Sequence, residues 1–340
     1  MKDRILVTGG AGFIGSNIVE SLVKLGKRVA VLDDFSSGQM EHIRPFLKHI
    51  RLCRGDIRSP KDVKTAMKDC SIVIHQAAIR SVPKSVDKPL LSHDVNTTGT
   101  LVLLNEAVRR GVKRFVYASS SSAYGDVRKF PQKETDPLRP LSPYGVSKLC
   151  AENYCYTYFD NHGLKTVSLR YFNVYGPRQN PESLYSAVVP AFIDQIRRGK
   201  VPVIDGTGKQ SRDFTYVGDV VRANLLAALG PGSLGGSVFN IAAGSDYSVN
   251  TILSLIAKHM GVRVKPAHGP ARRGDAMRTY ADISAAKTKL KWMPKMPLDE
   301  GLKETVRWFV EKNPKRLYSP VAPDLSDRIS RIILFRRDSG

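Results

Sequence analysis

Tyr144 and Lys148 are four residues apart and follow Pro143. Positions i and i+4 share one face of a helix, and proline suits the first turn of a helix. An ammonium beside a phenol favours the phenolate and lowers the tyrosine pKa, so the phenolate can take a proton from an alcohol near neutral pH. The pair predicts proton transfer with a hydroxyl-bearing substrate, although this spacing alone is frequent by chance.

Four consecutive serines, at 119–122, follow the apolar segment 115–118. Ligands of open parallel sheets bind beyond the carboxyl ends of the strands. We therefore predict that hydroxyl groups of this segment lie near Tyr144 and hydrogen-bond a substrate alcohol.

Glycines at 9, 12 and 15 follow the first apolar run of the chain. Gly9 permits a tight turn, Gly12 leaves the backbone open to a pyrophosphate, and Gly15 lets the next helix pack closely. The helix N-terminus would offer N–H groups to the phosphates. This spacing predicts a dinucleotide site.

Asp33 and Asp34 end the second apolar run. A carboxylate at this point accepts hydrogen bonds from the adenosine ribose and repels a 2′-phosphate, which favours NAD over NADP. Arg51 and Arg54 are the nearest basic residues that argue for NADP.

Short apolar runs alternate with helical patterns through the first half of the chain. Strands are predicted at 5–7, 29–32, 50–53, 72–74, 114–118 and 166–170, and helices at 14–25, 61–68 and 98–109. Nearly all-apolar strands separated by helices indicate a parallel sheet covered on both faces. The predicted fold is α/β, a doubly wound parallel sheet (Rossmann fold) with a smaller mixed α/β substrate-binding lobe.

Glycine and proline become frequent after residue 175, between helices predicted at 187–198, 217–229, 249–259 and 298–312. We predict a cofactor domain at 1–175, to which some later segments return, and a substrate-binding lobe at 176–312. The basic tail, 313–340, includes an amphipathic segment at 328–337. It could touch a membrane surface or a partner helix, or pack on its own protein.

The chain of 340 residues has a formal net charge of +22, spread along its length. Such a field attracts anions of many kinds and identifies none of them. No run approaches the roughly 20 apolar residues of a membrane span, and the N-terminus lacks a signal-peptide layout. We therefore predict a cytoplasmic protein. The four cysteines form no CxxC pair and no histidine cluster has metal-ligand spacing, so no metal site is predicted.

These features together resemble the extended short-chain dehydrogenase/reductase superfamily, and within it the UDP-sugar 4-epimerases, over residues 3–312. The motifs are TGGAGFIG at 8–15, LDDFSSG at 32–38, GDI at 55–57, HQAA at 75–78, Asn96, SSSSAYG at 119–125, SPYGVSK at 142–148, RYFNVYGPRQ at 170–179 and SRDFTYVGD at 211–219.

The resemblance implies NAD as the cofactor and a UDP-sugar as the substrate. The NAD site would contain Gly9, Gly12, Phe13, Ile14, Gly15, Asp33, Asp34, Ser36, Ser37, Gly38, Asp56, Ile57, Ala77, Ala78, Arg80, Asn96, Tyr144 and Lys148. Arg80 stands where many relatives have lysine. The UDP-sugar would contact Ser120, Ser121, Ser122, Tyr144, Asn173, Arg212, Arg272, Asp275 and Thr279.

By the same resemblance Ser120, Tyr144 and Lys148 would be the catalytic residues. Tyr144 would remove the 4-hydroxyl proton while hydride passes from C4 to NAD, and Ser120 would hydrogen-bond that hydroxyl. The 4-keto sugar would then turn, and the hydride would return to its other face. Relatives that eliminate water or decarboxylate carry carboxylates just after the catalytic hydroxyl residue, where this chain has Ser121 and Ser122.

The substrate is open at this stage. Relatives with a small residue at the position of Thr279 admit a C2 N-acetyl group, which favours the UDP-GlcNAc/UDP-GalNAc pair. UDP-glucose/UDP-galactose and the related uronates stay as alternatives. The resemblance also implies a homodimer through helices that include 101–108 and 150–158. A rival hypothesis, a non-catalytic nucleotide sensor or RNA-binding relative, is disfavoured because serine, tyrosine and lysine are all present, and no RNA-binding motif is found.

Overall fold

Seven strands form one parallel sheet in the computed structural model, which describes residues 3–127, 129–180, 187–271 and 277–312. The strands of the protein are β1 (Arg4–Thr8), β2 (Val29–Asp33), β3 (Ile50–Arg54), β4 (Cys70–His75), β5 (Arg114–Ser120), β6 (Thr166–Tyr171), β7 (Val174–Tyr175), β8 (Val203–Asp205), β9 (Ser211–Asp213), β10 (Thr215–Tyr216), β11 (Ser237–Ile241), β12 (Asp246–Ser248) and β13 (Ala267–Gly269).

The sheet order is β11-β6-β5-β4-β1-β2-β3, and every neighbouring pair is parallel. The predicted doubly wound fold is confirmed, and each of the six predicted strands is present. The chain builds β1 to β3 in one direction and then crosses to β4 on the other side of β1. Ligands of such sheets bind where this reversal occurs, beyond the carboxyl ends of the strands. That point lies between Thr8 and His75, which are register partners.

The helices are α1 (Phe13–Lys24), α2 (Met40–Ile43), α3 (Pro60–Ala66), α4 (Val82–Asp87), α5 (Pro89–His93), α6 (Gly99–Arg109), α7 (Pro143–His162), α8 (Val188–Arg197), α9 (Val217–Leu229), α10 (Val249–His259) and α11 (Leu298–Lys312). The seven predicted helices agree with these bounds to within a few residues. No helix within the described ranges is long and apolar enough to cross a membrane.

Two cores cover the two faces of the sheet. Ile5 and Val7 of β1 face one core with Ile18 of α1, whereas Leu6 faces the other with Leu103 of α6. Alternate residues of a strand point to opposite faces, so a strand buried on both faces reads as an unbroken apolar run. This is why the periodicity of the first half predicts its strands well.

A third core joins α8, α10 and α11, with Phe192, Ile252 and Phe309 at its centre. One later segment returns to the main sheet, as predicted, and it is β11, which pairs with β6 at the edge of that sheet. The five residues Ser237–Ile241 follow two glycines and lack a distinctive period, so only their long-range pairing identifies them. The division of the chain into domains at residue 175 stays a prediction.

Candidate active site

The turn between β1 and α1 leaves no room for side chains. Gly9 has a φ of +64°, and a Cβ there would lie 2.7 Å from the nitrogen of Ala77. A Cβ on Gly15 would lie 2.1 Å from the carbonyl oxygen of Gly9. Gly12 caps α1 without a side-chain hydrogen bond, so the first N–H groups of the helix and its positive dipole end can meet an anion. The turn fits the pyrophosphate of a dinucleotide.

Asp33, the last residue of β2, is buried beside this turn. Its carboxylate accepts hydrogen bonds from the nitrogen of Ala11 at 2.8 Å and from the nitrogen of Phe35 at 2.9 Å. Burial raises the pKa of Asp33, whereas the hydrogen bonds from these two donors lower it. Asp34 is exposed and accepts hydrogen bonds from the nitrogen and the hydroxyl of Ser36, at 2.9 and 2.7 Å. The two neighbouring carboxylates therefore differ, since only Asp33 is joined to the glycine turn.

The loop after β2 wraps closely around Asp33, because a Cβ on Gly38 would lie 2.7 Å from its Oδ1. Of the two basic residues that argue for NADP, Arg51 donates to main-chain carbonyls near the end of α3. Arg54 lies over the ring of Phe35, 5.3 Å from its centroid.

Asp56 and Ile57 follow β3 and have different surroundings. Arg58 binds the carboxylate of Asp56 through Nε, at 3.1 and 3.0 Å, and that of Asp94 at 2.7 Å. The Arg58 guanidinium lowers the pKa of Asp56. Ile57 is buried against the start of α6, where a Cβ on Gly99 would meet its Cδ1 at 2.7 Å. The predicted Asp56 contact to the cofactor therefore involves a carboxylate already paired with a cation.

His75 at the end of β4 is locked into one tautomer. The hydroxyl of Thr100 donates to the carbonyl of Asn96 at 2.6 Å, so it accepts from Nε2 of His75 at 2.9 Å. Nδ1 then accepts from the hydroxyl of Thr8 at 2.6 Å, and that oxygen in turn accepts from the nitrogen of Ala77 at 3.3 Å. Burial lowers the pKa of His75 to about 3, so the ring is neutral. The chain of bonds fixes the two strand ends at the reversal point.

Tyr144 lies in the first turn of α7, which packs against the serine segment after β5, since a Cβ on Gly145 would lie 2.6 Å from the carbonyl oxygen of Ser122. Burial raises the pKa of Tyr144, whereas the side chain of Ser120 and the guanidinium of Arg80 lower it. Our prediction that Lys148 lowers the pKa of Tyr144 is wrong. The cost of ionising the phenol away from water is the larger effect, and the cation that acts on it is Arg80.

Lys148 is buried one turn along α7, with its ammonium over the ring of Tyr117 in β5, 4.5 Å from the centroid. Burial lowers the pKa of Lys148 to about 7, whereas electrostatic interactions with Cys155 and Glu152 raise it. Lys148 shares the helix face of Tyr144, as predicted, but its immediate neighbour is an aromatic ring of the sheet.

Asn96 holds the loop that carries Ala78 and Arg80. Its side-chain oxygen accepts from the nitrogen of Ile79 at 2.8 Å, and its amide donates to the oxygen of Ile79 at 2.9 Å and to the hydroxyl of Ser147 at 3.0 Å. The residue is buried in a π-helical turn. Through these bonds to Ile79 and Ser147, Asn96 joins the loop to α7.

The serine segment does not present all its hydroxyls in one direction. Ser120 accepts a hydrogen bond from the nitrogen of Ser122 at 3.1 Å, and both Ser121 and Ser122 are partly exposed. Ser119 is buried and donates to the carboxylate of Glu152 at 2.5 Å. The sequence analysis missed Glu152, although it follows Tyr144 and Lys148 by the same four-residue step, which predicts a shared helix face.

Asn173, Arg212 and Thr279 come together from distant parts of the chain. The amide of Asn173 donates to the hydroxyl of Thr279 at 3.1 Å and to the oxygen of Asp213 at 3.2 Å. Thr279 in turn donates from its main chain to Ser211, the neighbour of Arg212 on β9. Arg272 and Asp275 lie outside the described residues.

The sequence profile of the NAD dependent epimerase/dehydratase family matches residues 5–242. The chain belongs to this family. NAD is therefore its cofactor, and the turn at Gly9, Gly12 and Gly15 fits that role. Within the family, its relatives include the UDP-sugar 4-epimerases, NAD-dependent isomerases, as the sequence motifs indicated.

A putative UDP-glucose 4-epimerase of Methanocaldococcus jannaschii is 39% identical over 311 residues, which cover 91% of this chain and 99% of that protein. The crystal structure of UDP-glucose 4-epimerase with UDP-glucose from Thermotoga maritima has a TM-score of 0.87 and 40% identity, covering 91% and 99% of the two chains. UDP-N-acetylglucosamine 4-epimerase from Methanobrevibacter ruminantium, in complex with UDP-N-acetylmuramic acid, has a TM-score of 0.86 and 36% identity over the same shares.

Gly15→Ala tests the turn. The new Cβ would displace the carbonyl of Gly9, with which it would overlap, so we expect purified protein to contain little NAD and to lose about 1–3 kcal/mol of stability. NAD released on denaturation and the melting temperature measure both effects. Gly232→Ala is the matched control, because no atom lies within 4 Å of its Cβ position. Full NAD content in Gly15→Ala would refute the assignment.

Arg80→Met tests the electrostatic role of Arg80. Loss of a cation raises the pKa of Tyr144 further, so the increase of kcat with pH should move upward by about one pH unit. Arg80→Lys keeps the charge and should retain a profile close to that of the parent protein. Superimposable profiles for the methionine and lysine variants would contradict this role.

Proposed function

We propose that this protein is a UDP-hexose 4-epimerase that inverts C4 through a 4-keto intermediate. The observation that carries the proposal is the packing of the first turn of α7, which holds Tyr144, against the serine segment that ends β5, where a Cβ on Gly145 would lie 2.6 Å from the carbonyl oxygen of Ser122. This packing brings a general base beside Ser120, a hydroxyl that can hold the substrate alcohol. Both lie on the side of the sheet where the glycine turn ends β1, so a sugar and a dinucleotide would meet there.

Bound NAD supplies the hydride acceptor and donor of this reaction. As a phenolate, Tyr144 accepts the proton of the 4-hydroxyl group, and the resulting phenol returns it when the opposite face of the sugar is reduced. Ser120 holds the 4-oxygen during both steps. Lys148, buried against Tyr117, would hold the nicotinamide ribose, and the guanidinium of Arg80 supplies the positive charge that favours the phenolate.

Elimination or decarboxylation would need a carboxylic acid at the reacting carbons. Ser121 and Ser122 occupy the positions where such groups occur in the corresponding relatives. Within the described ranges, the carboxylate that contacts this segment is that of Glu152, and Ser119 and Arg170 both hydrogen-bond it. These contacts favour epimerisation.

The nucleotide would lie against Asn173 and Arg212, with Arg272 and Asp275 assigned to the same site by motif alone. Arginine suits a diphosphate because its planar group donates hydrogen bonds in pairs. Fixing the nucleotide at one end leaves the sugar free to turn about the diphosphate linkage, which inversion requires.

We infer a preference for N-acetylated sugars, UDP-GlcNAc and UDP-GalNAc. Thr279 is small and its hydroxyl is engaged by the amide of Asn173, so neither bulk nor an unpaired group opposes a C2 substituent. UDP-glucose/UDP-galactose and the UDP-uronates are the alternatives that an assay must compare.

We also propose a homodimer formed by α6 and α7. Leu101, Val102 and Tyr154 are only partly buried, and Tyr156 is 57% exposed. Apolar surface on two neighbouring helices favours a second copy as partner. Sedimentation equilibrium should give twice the mass of one chain, and a monomer at micromolar concentration would exclude this assembly.

Tyr144→Phe is the direct test of the proposed reaction. Loss of a general base costs roughly 10²–10⁴ in rate, so we expect turnover to fall by that factor while NAD content and melting temperature are kept. The assay compares UDP-GlcNAc, UDP-glucose and UDP-glucuronate as substrates. Wild-type turnover in a folded, NAD-containing Tyr144→Phe protein would overturn the mechanism.

Thr279→Tyr tests the sugar preference. The larger side chain should reduce kcat/KM for UDP-GlcNAc by about 10- to 200-fold and change that for UDP-glucose much less. Thr279→Val removes the hydrogen bond to Asn173 without adding bulk and serves as the control. Equal losses on both sugars would show that the site, rather than the pocket for the N-acetyl group, had been damaged.

A further inference from the structure

A buried ion pair that the proposed reaction does not use lies beside its residues. Glu152 and Arg170 are 5% and 3% exposed. Arg170 binds the carboxylate through Nη2 at 2.6 Å and through Nε at 3.2 and 3.1 Å. Ser119 donates to the same carboxylate at 2.5 Å. One carboxylate thus joins α7, β5 and β6.

Each partner of Glu152 is next to a residue that the reaction needs. Ser119 precedes Ser120, and Ser119 pairs with Arg170 across the β5–β6 register. Arg170 lies three residues before Asn173 on the strand that leads into the nucleotide site. Glu152 itself follows Lys148 by one turn of α7. The three contacts therefore fix the relative positions of the base, the serine and the nucleotide segment.

A further nitrogen of the Arg170 guanidinium extends this hydrogen-bond network toward the predicted smaller lobe. Its Nη1 donates to the hydroxyl of Tyr124 at 2.9 Å, and Tyr124 donates to the side-chain oxygen of Asn240 at 2.7 Å. The amide of Asn240 holds the main-chain oxygens of Gln132 and Asp282, at 3.0 and 3.1 Å. Asp282 lies three residues after Thr279 in the sequence. The network therefore reaches both sides of the proposed sugar site.

We propose that Glu152 is a positioning residue for catalysis, which sets the hydroxyl of Ser120 against the phenol of Tyr144 through Ser119. The proposal rests on the proposed function, since it assigns the serine and tyrosine to one reaction. A fully hydrogen-bonded buried pair is rigid, and small displacements of reacting groups cost large factors in rate. A pair that only stabilised the fold would change the melting temperature and leave the kinetics of the folded protein unchanged.

Ser119→Ala is the most selective variant, because it removes one contact to Glu152 and leaves the ion pair intact. We expect kcat to fall on the order of tenfold, with little change in KM and full NAD content. Thr166→Val is the matched control, since Thr166 of β6 also donates to α7, to the oxygen of Cys155 at 2.7 Å, without reaching Glu152. It should keep the parent kcat.

Glu152→Gln is the second variant, and Glu152→Asp tests rescue by a shorter carboxylate. Glu152→Gln should lower kcat more than Ser119→Ala does, and Glu152→Asp should restore part of that loss. If Glu152→Gln fails to fold because Arg170 is left unpaired, the Ser119→Ala and Thr166→Val comparison decides the question.

A readout without turnover is the ionisation of Tyr144, taken as the absorbance difference between each protein and its Tyr144→Phe counterpart during a pH titration. Ser119→Ala loosens the placement of Ser120, whose side chain favours the phenolate of Tyr144, so its titration should move to higher pH, whereas that of Thr166→Val should not. The proposal would be overturned if Ser119→Ala kept the kcat of the parent protein and the titration of Tyr144 did not move. It would also be overturned if a lower kcat in this variant were fully explained by unfolding at the assay temperature. Absence of wild-type turnover on every UDP-sugar would refute the proposed function, and the titration would still test the positioning.

Discussion

The approach of α1 to the turn after β1 is the constraint on which the rest of the site depends. A side chain at residue 15 would overlap the oxygen of Gly9, so the helix can pack this closely only on glycine. That packing aims the positive end of α1 at one point beyond the sheet. Asp33 and Ala77 contact the same turn from the neighbouring strands. The shape of this turn is thus set by backbone atoms, which no rotamer change can move.

Chemistry at this point depends on two groups that burial drives toward their neutral forms. Burial raises the pKa of Tyr144 and lowers that of Lys148 to about 7. The phenol can therefore become a base only where hydrogen bonds and positive charge offset the loss of water. Ser120 and Arg80 supply such influences from two different strand ends.

Buried carboxylates join segments that are distant in sequence. Asp213 accepts hydrogen bonds from the nitrogens of Ala243 and Gly244, at 2.7 and 3.1 Å, and thereby joins β9 to the loop after β11. Glu152 does the same for α7, β5 and β6. The segments around β9 and the junction of α7, β5 and β6 are each organised in this way, so a single buried side chain fixes several loops whose own sequences have little preference for one conformation.

The sequence by itself determined the doubly wound fold and the glycine turn, and it predicted the serine, tyrosine and lysine of the proposed site. It could do so because buried parallel strands are continuous apolar runs, and because these motifs depend on residues close together in the chain. Only the tertiary structure decided that β11 completes the sheet, that Arg80 rather than Lys148 is the cation that lowers the pKa of Tyr144, and that Ser119 faces Glu152. Those outcomes depend on burial and on contacts between residues far apart in sequence, and neither leaves a periodic pattern to read.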